Sequence, residues 1–356
     1  MTRPTLVTIS IDALRHNLQV ARKQAPGSRV WAVVKANAYG HGLTNGMAGF
    51  AAADGLALLE FEGARELRQS GWNKPILMLE GAFSAGDVAM ARELNLSLVV
   101  HCEQQLAALA DATGSRALSV YLKFNSGMNR LGFRVEPFRA AYHRLQSLTG
   151  IASLSLMTHF ANSDLPGGAD QALAEFTVAA DGLAGERSCC NSAAVFDVSS
   201  AHHDWIRPGV MLYGATPFAD RSAASLGLRP AMRLTSKLIA TQNLLAGDGV
   251  GYGWTFKAAR PMRIGVVACG YADGYPRHAA TGTPIVIEGV RTRTLGRVAM
   301  DMLMVDLEPV PQAQVGSEVE LWGDAIAIDE VAHSAGTIGY ELMCAVMPRV
   351  PMVTRP

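Results

Sequence analysis

A lysine closes an apolar run near the front of the chain, in "WAVVKANAYGHG", Trp31 to Gly42. Lysines normally keep their ammonium in water. In an apolar setting Lys35 loses its charge easily, and an uncharged amine is a nucleophile toward carbonyl carbon. From its position alone, an ordinary strand-end lysine is an equal reading. Other polar residues end apolar runs in the same way: His101, Lys123 shortly before Arg130, His159, Asn191 with Ser192, and Arg207 followed by Gly209 and Val210. Such groups are costly to bury unless paired. The Ser192 hydroxyl and the backbone amides at Gly209 and Val210 can hold an anion. An imine-forming amine and a phosphate cradle at one mouth are the two anchors that pyridoxal 5′-phosphate requires. Ser192 alone could equally cap a helix, and His101 reads as a structural histidine. No pair of histidines has zincin spacing, so no metal site is expected.

The elements that would carry these residues alternate. Ser10 can cap a helix through "IDALRHNLQVARKQA". Eight short apolar runs follow: "VWAVVK", "GLALLE", "KPILMLE", "LSLVVH", "LSVYLKF", "ASLSLMTH", "RSCCNS" and "HDWIRPGVMLYG". Helical patterns such as "FEGARELRQSG" and "PFRAAYHRLQSL" separate them. Continuous apolar strands between helices imply a parallel sheet, and eight such units imply a (β/α)8 TIM-type barrel with its site at the C-terminal strand ends. The pattern changes near Leu226. Beyond it, strands alternate with glycine- and proline-rich turns, and only "IDEVAHSAG" reads as helical. The expected organisation is an α/β barrel over 11–225 and a β-strand domain over 226–356, which the N-terminal strand 3–10 joins.

Composition removes several classes of function. The 356 residues include 31 basic and 31 acidic side chains, a balance with no electrostatic footprint for nucleic acid or acidic membranes. No apolar run is long enough to span a bilayer, and the opening "MTRPTLVTIS" lacks the features of a signal peptide. Five scattered cysteines without a CxxC suggest neither a disulfide framework nor a zinc knuckle. The expectation is a cytoplasmic protein with a small-molecule substrate.

Nine segments, in order along the chain, resemble the alanine racemase family. They are "VVKANAYGHG", "LKFNSGMNRLGF", "MTHFANSD", "NSAA", "RPGVMLYG", "VGYGWTF", "GYADGYPR", "GRVAMDM" and "TIGYELMC". The resemblance covers essentially the whole chain. It implies a pyridoxal 5′-phosphate-dependent isomerase interconverting L- and D-alanine. Lys35 matches the Schiff-base lysine, and Tyr252 the second catalytic base. Tyr39 and Tyr340 match tyrosines near the cofactor phosphate, and Ser192, Gly209 and Val210 match its cradle. Arg207 matches the arginine facing the pyridine nitrogen, and His159 the histidine linking it to the catalytic tyrosine. Arg130 and the Met300 backbone match the grip on the substrate carboxylate. Tyr271 and Asp301 match positions at the substrate mouth. Lys123 matches a lysine often carbamylated in the family. Asn125 stands where many members have aspartate, and Val210 where isoleucine is common.

The resemblance also implies a homodimer whose sites are built from both chains, because Lys35 belongs to the barrel and Tyr252 to the β domain. Racemisation needs a proton taken from one face of Cα and returned on the other. Lys35 and Tyr252 suit two opposed bases, with positive charge or hydrogen bonds from His159 and Arg207 helping the phenol. An arginine rather than a carboxylate at position 207 speaks against a related decarboxylase. The alternatives are a serine or broad-specificity small amino-acid racemase and, from another class, a non-catalytic cofactor-binding regulatory protein.

Overall fold

The computed structural model describes residues 3–111 and 116–356. Its first strand, β1 (Leu6–Ser10), leads directly into the helix Ile11–Gln24, whose first turn is capped by the Ser10 hydroxyl accepting from the Ala13 amide at 3.2 Å. The eight apolar runs then form β2 (Arg29–Val33), β3 (Gly55–Leu58), β4 (Ile76–Met78), β5 (Ser97–Val100), β6 (Leu118–Lys123), β7 (Ile151–Met157), β8 (Arg187–Ser188) and β9 (Trp205–Ile206). All neighbours are parallel, and β2 pairs with β9, so the barrel closes. β3 and β5 are buried along their whole length, as a sheet covered on both faces requires.

The strand-rich part begins with β10 (Met232–Leu244), a 13-residue strand. A small hairpin follows, β11 (Gly249–Val250) and β12 (Phe256–Lys257). Then come β13 (Met262–Val267), β14 (Pro284–Ile287), β15 (Val290–Leu295), β16 (Leu303–Asp306), β17 (Glu318–Trp322) and β18 (Met352–Arg355). The sheet order is β13-β16-β15-β14-β17-β10-β1-β18. β1 therefore lies inside this sheet, antiparallel to β10 and parallel to β18. One element departs from the sequence reading. Besides the helix Ile328–Ser334 in the expected segment, "GYELMCA" forms a helix, Gly339–Ala345. Its glycine start and two-turn length gave no helical periodicity to read.

Candidate active site

The chain after β2 does something unusual. Ala36, Asn37, Ala38 and Tyr39 have φ of 52°, 53°, 53° and 51°, a left-handed helical turn directly behind Lys35. For L-residues this costs roughly 1–2 kcal/mol each, or roughly 4–8 kcal/mol over the turn. Tertiary contacts offset it. The Tyr39 ring stacks on Tyr213 at 4.7 Å, and the Asn37 carbonyl oxygen of the side chain accepts from the Leu43 amide at 2.8 Å. Gly40 follows with φ 75° and lies against the helix Gly339–Ala345, where a Cβ would come within 2.1 Å of the Met343 carbonyl oxygen. The turn packs Tyr39 against Tyr213 and Gly209, which follow the adjoining strand β9, while Lys35 stays at the end of β2.

A cavity of about 750 Å³ opens at the C-terminal strand ends. It brings together Lys35, Tyr39, Lys123, Arg130, His159, Ser192, Arg207, Gly209, Val210 and Tyr340. His101 also lies on its wall, with its ring nitrogen tied to the Glu80 carbonyl at 3.1 Å. Sequence reasoning missed Glu80 and Cys344, which also line the cavity. Glu80 ends an apolar run just as Lys35 does, and that was the signal available for it.

Burial dominates the electrostatics of this cavity, and its cations act second. Burial, then the Arg130 guanidinium, pulls the Lys35 ammonium below its ordinary pKa. Lys123 is lowered to about 8, first by burial and then by Arg207 and Arg130. Burial and Arg207 keep the His159 ring well below the usual imidazole range, so it is neutral. Tyr39 and Tyr340 are pushed up by burial and remain protonated donors.

Arg207 is 5% exposed and held by the barrel itself. It donates to Ser188 Oγ at 2.6 Å, to the Thr158 carbonyl at 2.6 Å and to the Cys189 carbonyl at 3.2 Å. Its Nη2 lies 3.5 Å from His159 Nδ1. A guanidinium only donates, so Nδ1 is the acceptor and the neutral ring carries its proton on Nε2. Ser192 does not cap its helix. Asn191 does, accepting from the Ala194 amide at 3.1 Å. The Ser192 hydroxyl instead collects the amides of Gly209, at 2.9 Å, and Met211, at 3.4 Å. A Cβ on Gly209 would sit 2.6 Å from the Tyr39 hydroxyl. Hydroxyl, phenol and amides thus converge in a space that only glycine leaves open.

Asn125 shapes the loop that delivers Arg130. Its Oδ1 accepts from the amides of Gly127 at 3.2 Å and Asn129 at 3.0 Å, and its Nδ2 donates to Asn129 Oδ1 at 3.3 Å. The last bond needs an amide, which an aspartate would not provide.

Tyr252, Tyr271, Met300 and Asp301 are not among the cavity residues. They gather on the sheet domain instead. Tyr252 sits in the turn between β11 and β12, Tyr271 in the turn Tyr271–Asp273 after β13, and Met300 and Asp301 between β15 and β16. The Tyr271 amide donates to the Ala299 carbonyl at 3.1 Å, and the Ala272 amide to the Met300 carbonyl at 3.0 Å. Tyr252 is 69% exposed; Trp254, two residues further on, is also exposed, as are Met300 and Met302 on the β15–β16 loop.

A closed parallel barrel whose strand ends bring a lysine of lowered pKa, a serine hydroxyl and backbone amides into one cavity, joined to a strand-rich sheet, has the architecture of a barrel enzyme. Comparison with known proteins makes the class specific. The profile "Alanine racemase, N-terminal domain" matches residues 9–217, and "Alanine racemase, C-terminal domain" matches residues 231–354. An alanine racemase of Janthinobacterium sp. (strain Marseille) is 54% identical over 99% of both chains. A protein of Klebsiella aerogenes named "Alanine racemase, catabolic" is 50% identical over 99% of this chain and 100% of its own. The crystal structure of the biosynthetic alanine racemase from Pseudomonas aeruginosa superposes with a TM-score of 0.97, at 47% identity and full coverage of both chains. The chain belongs to the alanine racemase family. It is an isomerase that interconverts L- and D-alanine, and these relatives do not favour the serine-racemase or regulatory readings.

Proposed function

We propose that racemisation proceeds between two bases on opposite faces of the substrate Cα: Lys35 of one subunit and Tyr252 of the partner subunit, with pyridoxal 5′-phosphate as the cofactor. When bound, that cofactor supplies an electron sink that makes the Cα–H acidic. The residues fit it. Lys35 offers an amine of lowered pKa, and the Ser192 hydroxyl, the Val210 amide and the Tyr39 and Tyr340 phenols would donate to a phosphate, with Gly209, whose amide donates to Ser192 Oγ, leaving the space for it. Arg207, buried and able only to donate, suits a ring nitrogen that accepts. It disfavours protonation there, which limits electron withdrawal into the ring and return of the proton at the wrong carbon.

Arg130 and the Met300 backbone hold the substrate carboxylate in this reading, with Tyr271 and Asp301 at the mouth. The cationic cavity supports an anionic ligand. Lys123, lowered to about 8, has an uncharged fraction that can take up carbon dioxide, and the resulting carbamate is an anion beside Arg130. The neutral His159 accepts from Arg207 on Nδ1 and so has an Nε2–H to donate, which would help a phenolic oxygen hold negative charge.

The observation that carries the reading is the split between the two bases. Lys35 lines the cavity, while Tyr252 is exposed on the sheet domain of the same chain. A homodimer with shared sites resolves it, and the exposed Tyr252, Trp254, Met300 and Met302 supply apolar surface for the contact. Five free cysteines support a reducing, cytoplasmic location, and among the described residues no helix is long and apolar enough to cross a membrane. Lys35→Ala tests the cofactor assignment. The purified variant should lose the visible absorption of lysine-bound pyridoxal, and an unchanged spectrum would refute the assignment.

A further inference from the structure

Two arginines outside the cavity hold the loops that carry the proposed substrate-mouth residues. Asp273 is 1% exposed, and its carboxylate accepts from the Gly270 amide at 2.9 Å, Arg3 Nη2 at 3.1 Å and Arg349 Nε at 2.7 Å. Both guanidiniums reach on to residue 301. Arg349 Nη2 donates to Asp301 Oδ1 at 2.7 Å, and Arg3 Nη2 donates to the Asp301 carbonyl at 2.7 Å. Arg3 and Arg349 therefore bridge the turn Tyr271–Asp273 and the loop at 299–301. The two segments are already packed backbone to backbone, since a Cβ on Gly270 would stand 2.3 Å from the Ala299 carbonyl oxygen and 2.4 Å from that of Met300.

The charges matter as much as the geometry. The cluster has two carboxylates and two guanidiniums and is neutral as a unit. Asp273 is buried, but Asp301 keeps 41% of its side chain exposed. Without Arg349, Asp301 would present an unpaired anion next to Met300, and a like charge repels an incoming carboxylate.

We infer that Arg349 is a positioning residue for substrate binding. It fixes the Met300–Asp301 segment against the Tyr271 turn and cancels the Asp301 charge, so that the carboxylate of an amino-acid substrate meets no free anion. This rests on the proposal that Met300 and Asp301 border the substrate site. Arg349 touches no reacting atom, so its loss should act on binding rather than on proton transfer. It should act equally on both enantiomers, which share the carboxylate.

The test uses the holoenzyme and propionate, a carboxylate without an amine, as a competitor of alanine. Arg349→Ala should raise KM for L- and D-alanine and the propionate inhibition constant by roughly tenfold, with kcat little changed. Arg349→Lys should recover part of the loss. Asp301→Asn added to Arg349→Ala should recover more, because it removes the stranded anion. A role in stability alone would lower kcat or the melting temperature and would show no rescue by Asp301→Asn. Unchanged KM and propionate binding in Arg349→Ala, or no recovery in the double variant, overturns the inference. If Arg349→Ala does not fold, Arg349→Gln keeps a donor for Asp273 without the charge and carries the same expectation. Arg130→Ala separates the inference from the reading beneath it. If propionate binding ignores Arg130, the carboxylate reading of the site fails; if it responds to Arg130 and not to Arg349, only the clamp fails.

Discussion

At the scale of single residues, the chemistry depends on how far each group is moved from its behaviour in water. Lys35 owes its lowered pKa first to burial and second to Arg130. Removing a neighbouring cation favours the protonated amine, so Arg130→Ala should raise the Lys35 pKa. At a fixed pH the free amine then becomes scarcer. The rate at which apoprotein captures pyridoxal 5′-phosphate should consequently rise with pH in both proteins, with the variant's profile displaced to higher pH. Rapid-mixing absorbance across pH reads this directly, and a displacement to lower pH would contradict the sign. Tyr252→Phe removes one proposed base and leaves the other. Racemisation should fall by about 10²- to 10⁴-fold, the usual worth of a general base. Lys35 would still serve the D enantiomer, so solvent exchange of its α-proton should survive far better than that of L-alanine. Proton NMR in heavy water distinguishes this from equal loss on both, which would argue against opposed bases.

At the scale of elements, the left-handed turn Ala36–Tyr39 is the costly feature, and Gly40 is where it meets the helix Gly339–Ala345. Gly40→Ala combines a disfavoured φ of 75° with a 2.1 Å approach to the Met343 carbonyl. It should lose at least about 3 kcal/mol of stability and shift Tyr340, which that helix carries. Gly71→Ala is the control. Its φ of 93° is equally disfavoured, but a Cβ there has open space, so it should cost only about 1–2 kcal/mol. Urea unfolding compares the two. The same elements show what a sequence can and cannot express. "VWAVVK" and "LSLVVH" are legible as barrel strands because a doubly covered sheet needs continuous apolar runs, and the strand ends then point to Lys35, His159 and Arg207. The handedness after Lys35 is not legible, because Ala36, Ala38 and Tyr39 have no local preference for it and tertiary contacts impose it. Gly339–Ala345 is hidden by its glycine start. Glu80 is legible in the same way as Lys35, at the end of an apolar run, whereas Cys344 is brought to the cavity only by the packed helix Gly339–Ala345. The helix-capping reading of Ser192 fails for a local reason: Asn191, one residue earlier, is the better-placed acceptor.

At the scale of the whole molecule, one chain carries the proposed bases on separate surfaces, and that separation can be tested without any structure of the dimer. Lys35→Ala and Tyr252→Phe are each expected to be inactive as racemases. If subunits of the two variants exchange, a mixed dimer with cross-built sites holds one site with both substitutions and one with neither. The intact site should work. Random mixing makes about half of the dimers mixed, each with one good site of two, so activity should recover to roughly a quarter of that of the unsubstituted enzyme. If both bases came from the same chain, every site in the mixture would carry one defect. Activity would then stay at the background of the separate variants. Differently tagged subunits and tandem purification confirm that mixed dimers have formed before activity is read. The purified mixed dimer should then show about half the activity of the unsubstituted enzyme, since one of its two sites is whole. A confirmed mixed dimer with only background activity would place Tyr252 outside its partner's site, and the second base would have to be sought within the barrel.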